Sequence, residues 1–236
     1  DDYLEQIDKE VTYHQAGIWQ SPSPAGLQDA KVCELRPSKG QMRLYDAAGH
    51  ALSQADITLL AAGAGMHTLT SLALKNVRGQ SIRIQSKHAL PEFLTGDINI
   101  THLDGHDFLV GSTYELGSND SQTRLLDTDR LMSDLAQTLQ HRDFTLTSAH
   151  AGIRTTFSDR VIGAGLLPTD ALTTAIMDQG VGQHLEPMPA CYALMGLGSH
   201  GATHAPLAAE AIVSAFCGAP SPLPRDLAHL IRLDRF

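Results

Sequence analysis

The stretch Tyr192-Ala193-Leu194-Met195-Gly196-Leu197-Gly198-Ser199-His200-Gly201, running on to Pro206-Leu207-Ala208-Ala209-Glu210, decides the fold. Its first four residues suit a short strand. Three glycines then fall within six residues, freeing the backbone for a tight turn and for close approach to a ligand. A helix is predicted from Pro206 to Phe216, because proline suits a first helical turn and Gly218 suits a stop. Strand, glycine turn and helix in that order belong to an α/β or α+β chain. The unpaired N–H groups and positive dipole end of such a helix favour a phosphate, or a planar heterocycle that gathers negative charge. Junctions of this kind are also common where nothing binds, so the turn alone leaves both readings open.

Outward from it, Ser148–Thr156 has the pattern of a strand and Arg225–Ile231 of a short closing helix. Leu131, Leu135 and Leu139 recur at four-residue spacing and predict an amphipathic helix over Leu126–Gln140, with Asp127 or Thr128 at its cap. Strands are predicted at Val77–Gln85, Ile98–Leu103 and Phe108–Tyr114, the last two flanking an Asp104-Gly105 hairpin turn. The apolar run Ile57–Ala62 stops at Gly63-Ala64-Gly65, which suits a strand buried on both faces. Val32–Leu35 and Met42–Tyr45 form a hairpin pattern around Pro37-Ser38-Lys39-Gly40, a turn follows at Asp46–Gly49, and Ser21–Gly26 is a turn or linker.

The 236 residues suffice for one large domain or two modest ones. With 42% apolar and 18% charged residues, and no apolar run long enough to cross a bilayer, the expectation is a cytoplasmic globular chain without membrane contact. The net charge of −9 and the absence of a Lys/Arg run argue against a nucleic-acid stripe, so any action on RNA needs another domain or a local patch. Cys33, Cys191 and Cys217 are odd in number and far apart, which predicts reduced, buried thiols and no disulfide framework.

The segment from Tyr192 to Glu210 resembles the C-terminal flavin-contacting segment of the D-amino-acid oxidase-like family of FAD-dependent oxidoreductases. Leu59–Gly65 resembles the strand and glycine turn that re-enter that family's FAD domain, and Val77-Arg78-Gly79-Gln80 the entry into its substrate sheet. Gly152-Ile153-Arg154 with Ser158–Gly163 is similar to its substrate-arginine strand and following turn, although Val161 or Ile162 stands where proline is usual. Gly111-Ser112-Thr113-Tyr114-Glu115 and the ending Pro222-Leu223-Pro224 to Phe236 carry the resemblance furthest toward one branch, the FAD domains of bifunctional tRNA methylaminomethyl-thiouridine biosynthesis proteins. No Gly-x-Gly-x-x-Gly unit is present, and Gly63-Ala64-Gly65 lacks a third glycine at the required spacing.

The resemblance implies a partial FAD-binding, Rossmann-like domain plus a β-sheet-rich substrate domain. Residues 1–69 and 151–236 then belong to the cofactor domain and 70–150 to the substrate sheet. It implies FAD as cofactor, contacted by Gly63, Gly65, Gly196, Gly198, Ser199, His200, Gly201, Ala202 and Thr203. Arg154 becomes the substrate residue, gripping a carboxylate by a bidentate pair, the alternative being a strand arginine that is exposed or paired with Asp159. The implied activity is oxidation of a C–N bond in a carboxylate-bearing amine, on tRNA wobble uridine reached through another domain. The alternatives are a glycine- or sarcosine-type oxidase, and a flavin-free partner subunit or fragment, the missing glycine unit being carried by a separate subunit or by a missing N-terminal domain.

Other candidates have plainer explanations. His200 and His204, like His102 and His106, are four residues apart, but neither pair lies within a regular helix pattern and no third ligand is evident, so no metal site is expected. Arg78 is expected to be structural rather than cofactor-facing, and Tyr114 and Tyr192 to be core residues with hydroxyls at a rim. Asp127, Asp129 and Asp134 belong to the cap and solvated face of the predicted helix.

Overall fold

A computed structural model of the chain describes residues 12–14, 18–20, 30–88, 90–140, 143–172 and 189–235. The chain divides into two compact units, residues 1–31 and 32–236. The predicted linker at 21–26 lies outside the described residues. The first unit contributes the antiparallel pair β1 (Thr12–His14) and β2 (Ile18–Gln20). The second continues with β3 (Glu34–Ser38), β4 (Gln41–Tyr45), β5 (Ala51–Ala55), β6 (Ile57–Leu60), the short helix α1 (Met66–Leu69) and β7 (Lys75–Ser86). Then come β8 (Phe93–Leu94), β9 (Asn99–Asp104), β10 (Asp107–Gly111), β11 (Glu115–Leu116) and helix α2 (Leu125–Leu139). The last are β12 (Phe144–Thr156), β13 (Gly163–Leu166), β14 (Ala190–Met195), α3 (Gly201–Cys217) and α4 (Arg225–Leu230). The mixture of strand and helix is the α+β class expected.

The largest sheet is antiparallel and centred on β7. Strand β12 pairs along one edge of β7 from Thr156↔Lys75 to Phe144↔Ser86, while β10 and β11 share the other edge and β9 and β8 follow beyond β10. Alternation decides its two faces. Ile82, Ile84, Ile100, Phe108 and Val110 point to one side and close a core with Leu131 and Leu135 of α2. At about 1.5–3 kcal/mol for each large side chain removed from water, this contact holds the helix against that face. The other face, carrying Gly79, Ser81, Gly152 and Arg154, receives no such cover from α2.

A second sheet, β13-β14-β6, pairs β14 with β6 in parallel and with β13 antiparallel. Burial on both faces, expected of Ile57–Ala62, belongs instead to β14. Cys191, Ala193 and Met195 enter one core, and Tyr192 and Leu194 pack with Ala208 and Ile212 of α3 in another. In β6 only Thr58 and Leu60 are buried, whereas Ile57 and Leu59 face out, because among the described residues no core cluster covers their face. A third sheet, β3-β4-β5, is the expected hairpin extended by one strand, turning at Lys39 and Gly40 with φ of 51° and 77°. The Asp46–Gly49 turn closes when the Asp46 carboxylate accepts the N–H groups of Ala48 and His50.

Three further expectations change. Helix α3 begins at Gly201, not at Pro206, which sits inside it. One lost backbone bond near the N-terminus is tolerable there, so the proline marks the early helix rather than its first turn. Helix α2 begins after Arg124 with no side-chain cap. Thr128 instead donates to the Arg124 carbonyl, and Asp127, far from solvated, pairs with a buried arginine. Of the cysteines only Cys191 is buried, its thiol pushed up to about 11 by desolvation, while Cys33 is half-buried and Cys217 exposed. Among the described residues no helix is long and apolar enough to cross a membrane.

Candidate functional site

Strand β12 carries the central residue. Its end is stitched to the glycine turn by a Thr156↔Leu197 bridge and by the Gly198 N–H donating to the Thr155 carbonyl at 2.9 Å. This brings Arg154 within reach of a loop more than forty residues away in sequence. Arg154 Nη1 donates to Ser199 Oγ at 3.0 Å, and Nη2 donates to Ser112 Oγ at 3.2 Å and to the Thr113 carbonyl at 3.3 Å. Thr113 is itself held by Gln80, whose carbonyl takes the Thr113 N–H at 2.9 Å and whose N–H donates to Thr113 Oγ1 at 2.8 Å. The guanidinium therefore lies between the end of the large sheet and the glycine turn.

All three partners are neutral oxygens, and no ion pair links Arg154 to a carboxylate among the described residues. Asp159 pairs instead with Arg235 at 3.4 Å and caps the turn through the Val161 N–H. Among the described residues Arg154 therefore does not pair with Asp159. Burial pulls the Arg154 pKa below its ordinary value, partly offset by Tyr114. Of five guanidinium N–H groups, three are used and two remain. A half-buried cation with spare donors and no counter-ion is suited to receive an anionic ligand.

The seat of the guanidinium is Gly79. In the sheet register Gly152 opposes Gly79 and Arg154 opposes Val77, so the arginine crosses diagonally over the bare backbone. A Cβ at Gly79 would stand 2.2 Å from Arg154 Nη2. Gly79→Ala is predicted to push the guanidinium off Ser112 and Thr113 while the fold persists, since the closest atom is the far end of a flexible side chain and the Thr113 carbonyl, 3.1 Å from the Cβ, need give only slightly. Turnover should fall about ten- to a hundredfold, as a displacement of about 1 Å can cost. Equal thermal midpoints with a raised KM for a carboxylate-bearing amine would verify it, and an unchanged KM would refute it.

The glycine turn does more than one job. Gly196 (φ +69°) is required by packing, for a Cβ there would come within 2.6 Å of the buried Phe157 ring. Gly198 (φ +55°) makes the turn itself. The N–H groups of His200 and Thr203 are used internally, donating to the Leu197 and His200 carbonyls. Those of Ser199, in the turn, and of Gly201 and Ala202, the first two residues of a 17-residue helix, find no acceptor among the described residues. Because β6 and β14 are parallel, Gly63–Gly65 leaves the same end of the sheet as this turn, and nothing lies within 4 Å of a Cβ placed on Gly63. A crevice beyond the carboxyl ends of parallel strands is where open α/β sheets take ligands.

The FAD dependent oxidoreductase family profile matches residues 27–215, most of the chain. The chain belongs to that family. FAD is the cofactor of its family and oxidation–reduction the family's chemistry, as the resemblance implied. The tRNA 5-methylaminomethyl-2-thiouridine biosynthesis bifunctional protein MnmC of Caulobacter vibrioides is 34% identical over 195 residues, covering 82% of this chain and 30% of that protein. MnmC of Burkholderia mallei is 30% identical over 216 residues, covering 85% and 33%. Among solved structures, glycine oxidase from Geobacillus kaustophilus superposes with a TM-score of 0.66 at 17% identity, covering 86% of this chain and 52% of that one. Iminodiacetate oxidase from Chelativorans sp. BNC1 gives 0.64 at 19%, covering 84% and 51%. The chain spans about a third of the curated relatives and about half of these solved chains.

The residues present fit a flavin of this FAD dependent oxidoreductase family. The free amides of Ser199, Gly201 and Ala202 at the start of α3 suit a ring edge that gathers negative charge, and the turn is bare enough for a flat group to approach. His200 and His204 stack on each other, ring centroids 5.6 Å apart. Among the described residues no group of three or more ligating side chains is arranged to hold a metal. Arg78, as expected, is structural. Sequence reasoning missed Gly79, Ser112 and Thr113 as parts of the Arg154 site, and the one signal available for the first was a glycine in mid-strand, which marks close approach.

Proposed function

We propose that the protein carrying this chain oxidises the C–N bond of a carboxylate-bearing amine, and that the amine is the carboxymethylaminomethyl group of a tRNA wobble uridine. Residues 1–69 and 151–236 belong to the cofactor side in this reading and 70–150 to the substrate sheet, the end of β12 with Arg154 running from that sheet to the cofactor side, in a cytoplasmic protein. The observation that carries it is Arg154, a half-buried guanidinium with spare donors and no carboxylate partner among the described residues, tied to the glycine turn through Ser199. A bound FAD supplies a two-electron acceptor for the hydride from the carbon next to nitrogen, leaving an imine that water splits into glyoxylate and the aminomethyl product.

The chain's own residues orient. Arg154 fixes the carboxylate, Gly79 and Thr113 fix Arg154, and the amides of Ser199, Gly201 and Ala202 with Gly63 and Gly65 hold the ring edge. The likeness to MnmC proteins supports the tRNA substrate. A second reading, a small-molecule amine of the glycine or sarcosine type, is favoured by the net charge of −9. Anaerobic addition of tRNA bearing carboxymethylaminomethyl-uridine to the full-length protein should bleach its flavin absorbance faster than glycine or sarcosine does. Faster bleaching by the amino acids would replace the first reading with the second, and a protein purified without flavin would favour a flavin-free partner role.

A further inference from the structure

The sheet face that holds Arg154 continues well beyond it. Cross-strand partners share a face, so Arg154, Gly152, His150 and Ser148 of β12 lie on the same side as Val77, Gly79, Ser81 and Arg83 of β7. Arg83 in turn opposes Leu109, Leu109 opposes Thr101, and Thr101 opposes Phe93. Phe93 is 67% exposed and Leu109 40%, although both lie within a sheet whose opposite face is sealed by α2. His150 is exposed too, its Nε2 3.7 Å from a Cβ placed on Gly152, so it leans back toward Arg154 over bare backbone. From Arg154 to the Arg83 row is about 20 Å at about 3.3 Å per residue, and from β12 to β8 about the same at about 4.8 Å per strand.

The charge on this face differs from that of the chain as a whole. Its paired positions hold the cations Arg154, Arg83 and Lys75, with the imidazole of His150, against Asp107, which Arg83 already grips at 2.6 Å, and Asp104 at the hairpin turn. The chain's net charge is −9, and Asp127 faces the other side. Exposed aromatic and apolar surface among cations and hydroxyls on an open sheet is the chemistry that receives unstacked bases and their phosphates.

We propose that this face, from His150 through Arg83 and Leu109 to Phe93, binds the single-stranded RNA that flanks the nucleotide whose carboxylate Arg154 holds. The proposal rests on the tRNA reading above and names the local patch that an acidic chain requires. Phe93 supplies the stacking surface, Arg83 a phosphate contact, and His150 a polar contact between them and the reacting group.

The test uses the full-length flavoprotein, a fluorescein-labelled RNA hairpin made of an anticodon stem and loop, and iminodiacetate as a small carboxylate-bearing amine. Phe93→Ala should raise the Kd for the hairpin about tenfold, as loss of one base-stacking partner does. Arg83→Gln should lower the slope of log Kd against log salt by about one. Neither should alter the flavin spectral change on adding iminodiacetate. Phe93 is so exposed that its loss leaves the core intact, and thermal midpoints check this. Variants that bind the hairpin as the parent does overturn the proposal. A parent that responds to iminodiacetate but not to the hairpin overturns it and leaves amine oxidation standing. A parent that responds to neither overturns both.

Discussion

Arg154→Met is expected to lower kcat/KM for a carboxylate-bearing amine by about a hundred- to a thousandfold, the effect of removing one partner of a desolvated charge pair at about 1.4 kcal/mol per decade. The guanidinium is half-buried and has no carboxylate partner among the described residues, so the substrate carboxylate is the charge proposed to complete it. Arg154→Lys should recover only part of the loss, because an ammonium cannot hold Ser199, Thr113 and a carboxylate in one plane. The informative control is an amine without a carboxylate. Parent and variant should oxidise it at similar rates, since the missing interaction is one this substrate never makes. Stability should change little, because the three lost hydrogen bonds go to neutral partners near the surface. Steady-state kinetics on both substrates decide the matter, and an equal loss on both would show that Arg154 shapes the cavity instead of gripping a carboxylate.

The contrast between these residues shows what a sequence conveys. The glycine turn was legible because three glycines close together have few other uses, and Lys39-Gly40 and Asp104-Gly105 were legible for the same local reason. Arg154 was found through resemblance, and its surroundings were not found at all. Gly79, Ser112 and Thr113 lie roughly 40 to 75 residues from it along the chain, and register alone brings them together. The errors share that origin. Ile57–Ala62 has the composition of a strand buried on both faces, but burial depends on what packs over each face, and among the described residues it is β14 that is covered on both. Pro206 is a good early-helix residue, yet hydrogen bonds closed from His200 onward set the start of α3 five residues sooner. Asp127 has the spacing of a solvated helix residue, and its partner, Arg78, comes from the strand beneath.

That partner gives the largest expected effect on stability. Arg78 is wholly buried, and its guanidinium is almost fully used: Nη1 to Asp127 at 2.6 Å, Nε to the Asp120 carbonyl at 2.9 Å, and Nη2 to Gln80 Oε1 at 2.9 Å and the Gln122 carbonyl at 2.7 Å. Gln80 extends the network, accepting the Arg124 N–H at 2.8 Å and donating to Thr128 Oγ1 and the Arg124 carbonyl, both at 2.9 Å. These bonds anchor the segment entering α2 and its first turn to β7, in place of the side-chain cap the helix lacks. Arg78→Met would leave Asp127 without its cation and two carbonyls without donors, a cost of about 3–5 kcal/mol against a total stability of about 5–15 kcal/mol. For a chain of this size the thermal midpoint should drop by roughly 10 °C. Asp127→Leu added to Arg78→Met should restore part of it, because an apolar pair has no stranded charge. A midpoint within a degree or two of the parent would mean that α2 is held by Leu131 and Leu135 alone. Because β7 also carries Gly79 on its opposite face, a slackened Arg78 network should loosen the seat of Arg154, so that Arg78→Met raises KM for the carboxylate-bearing amine even below its unfolding temperature.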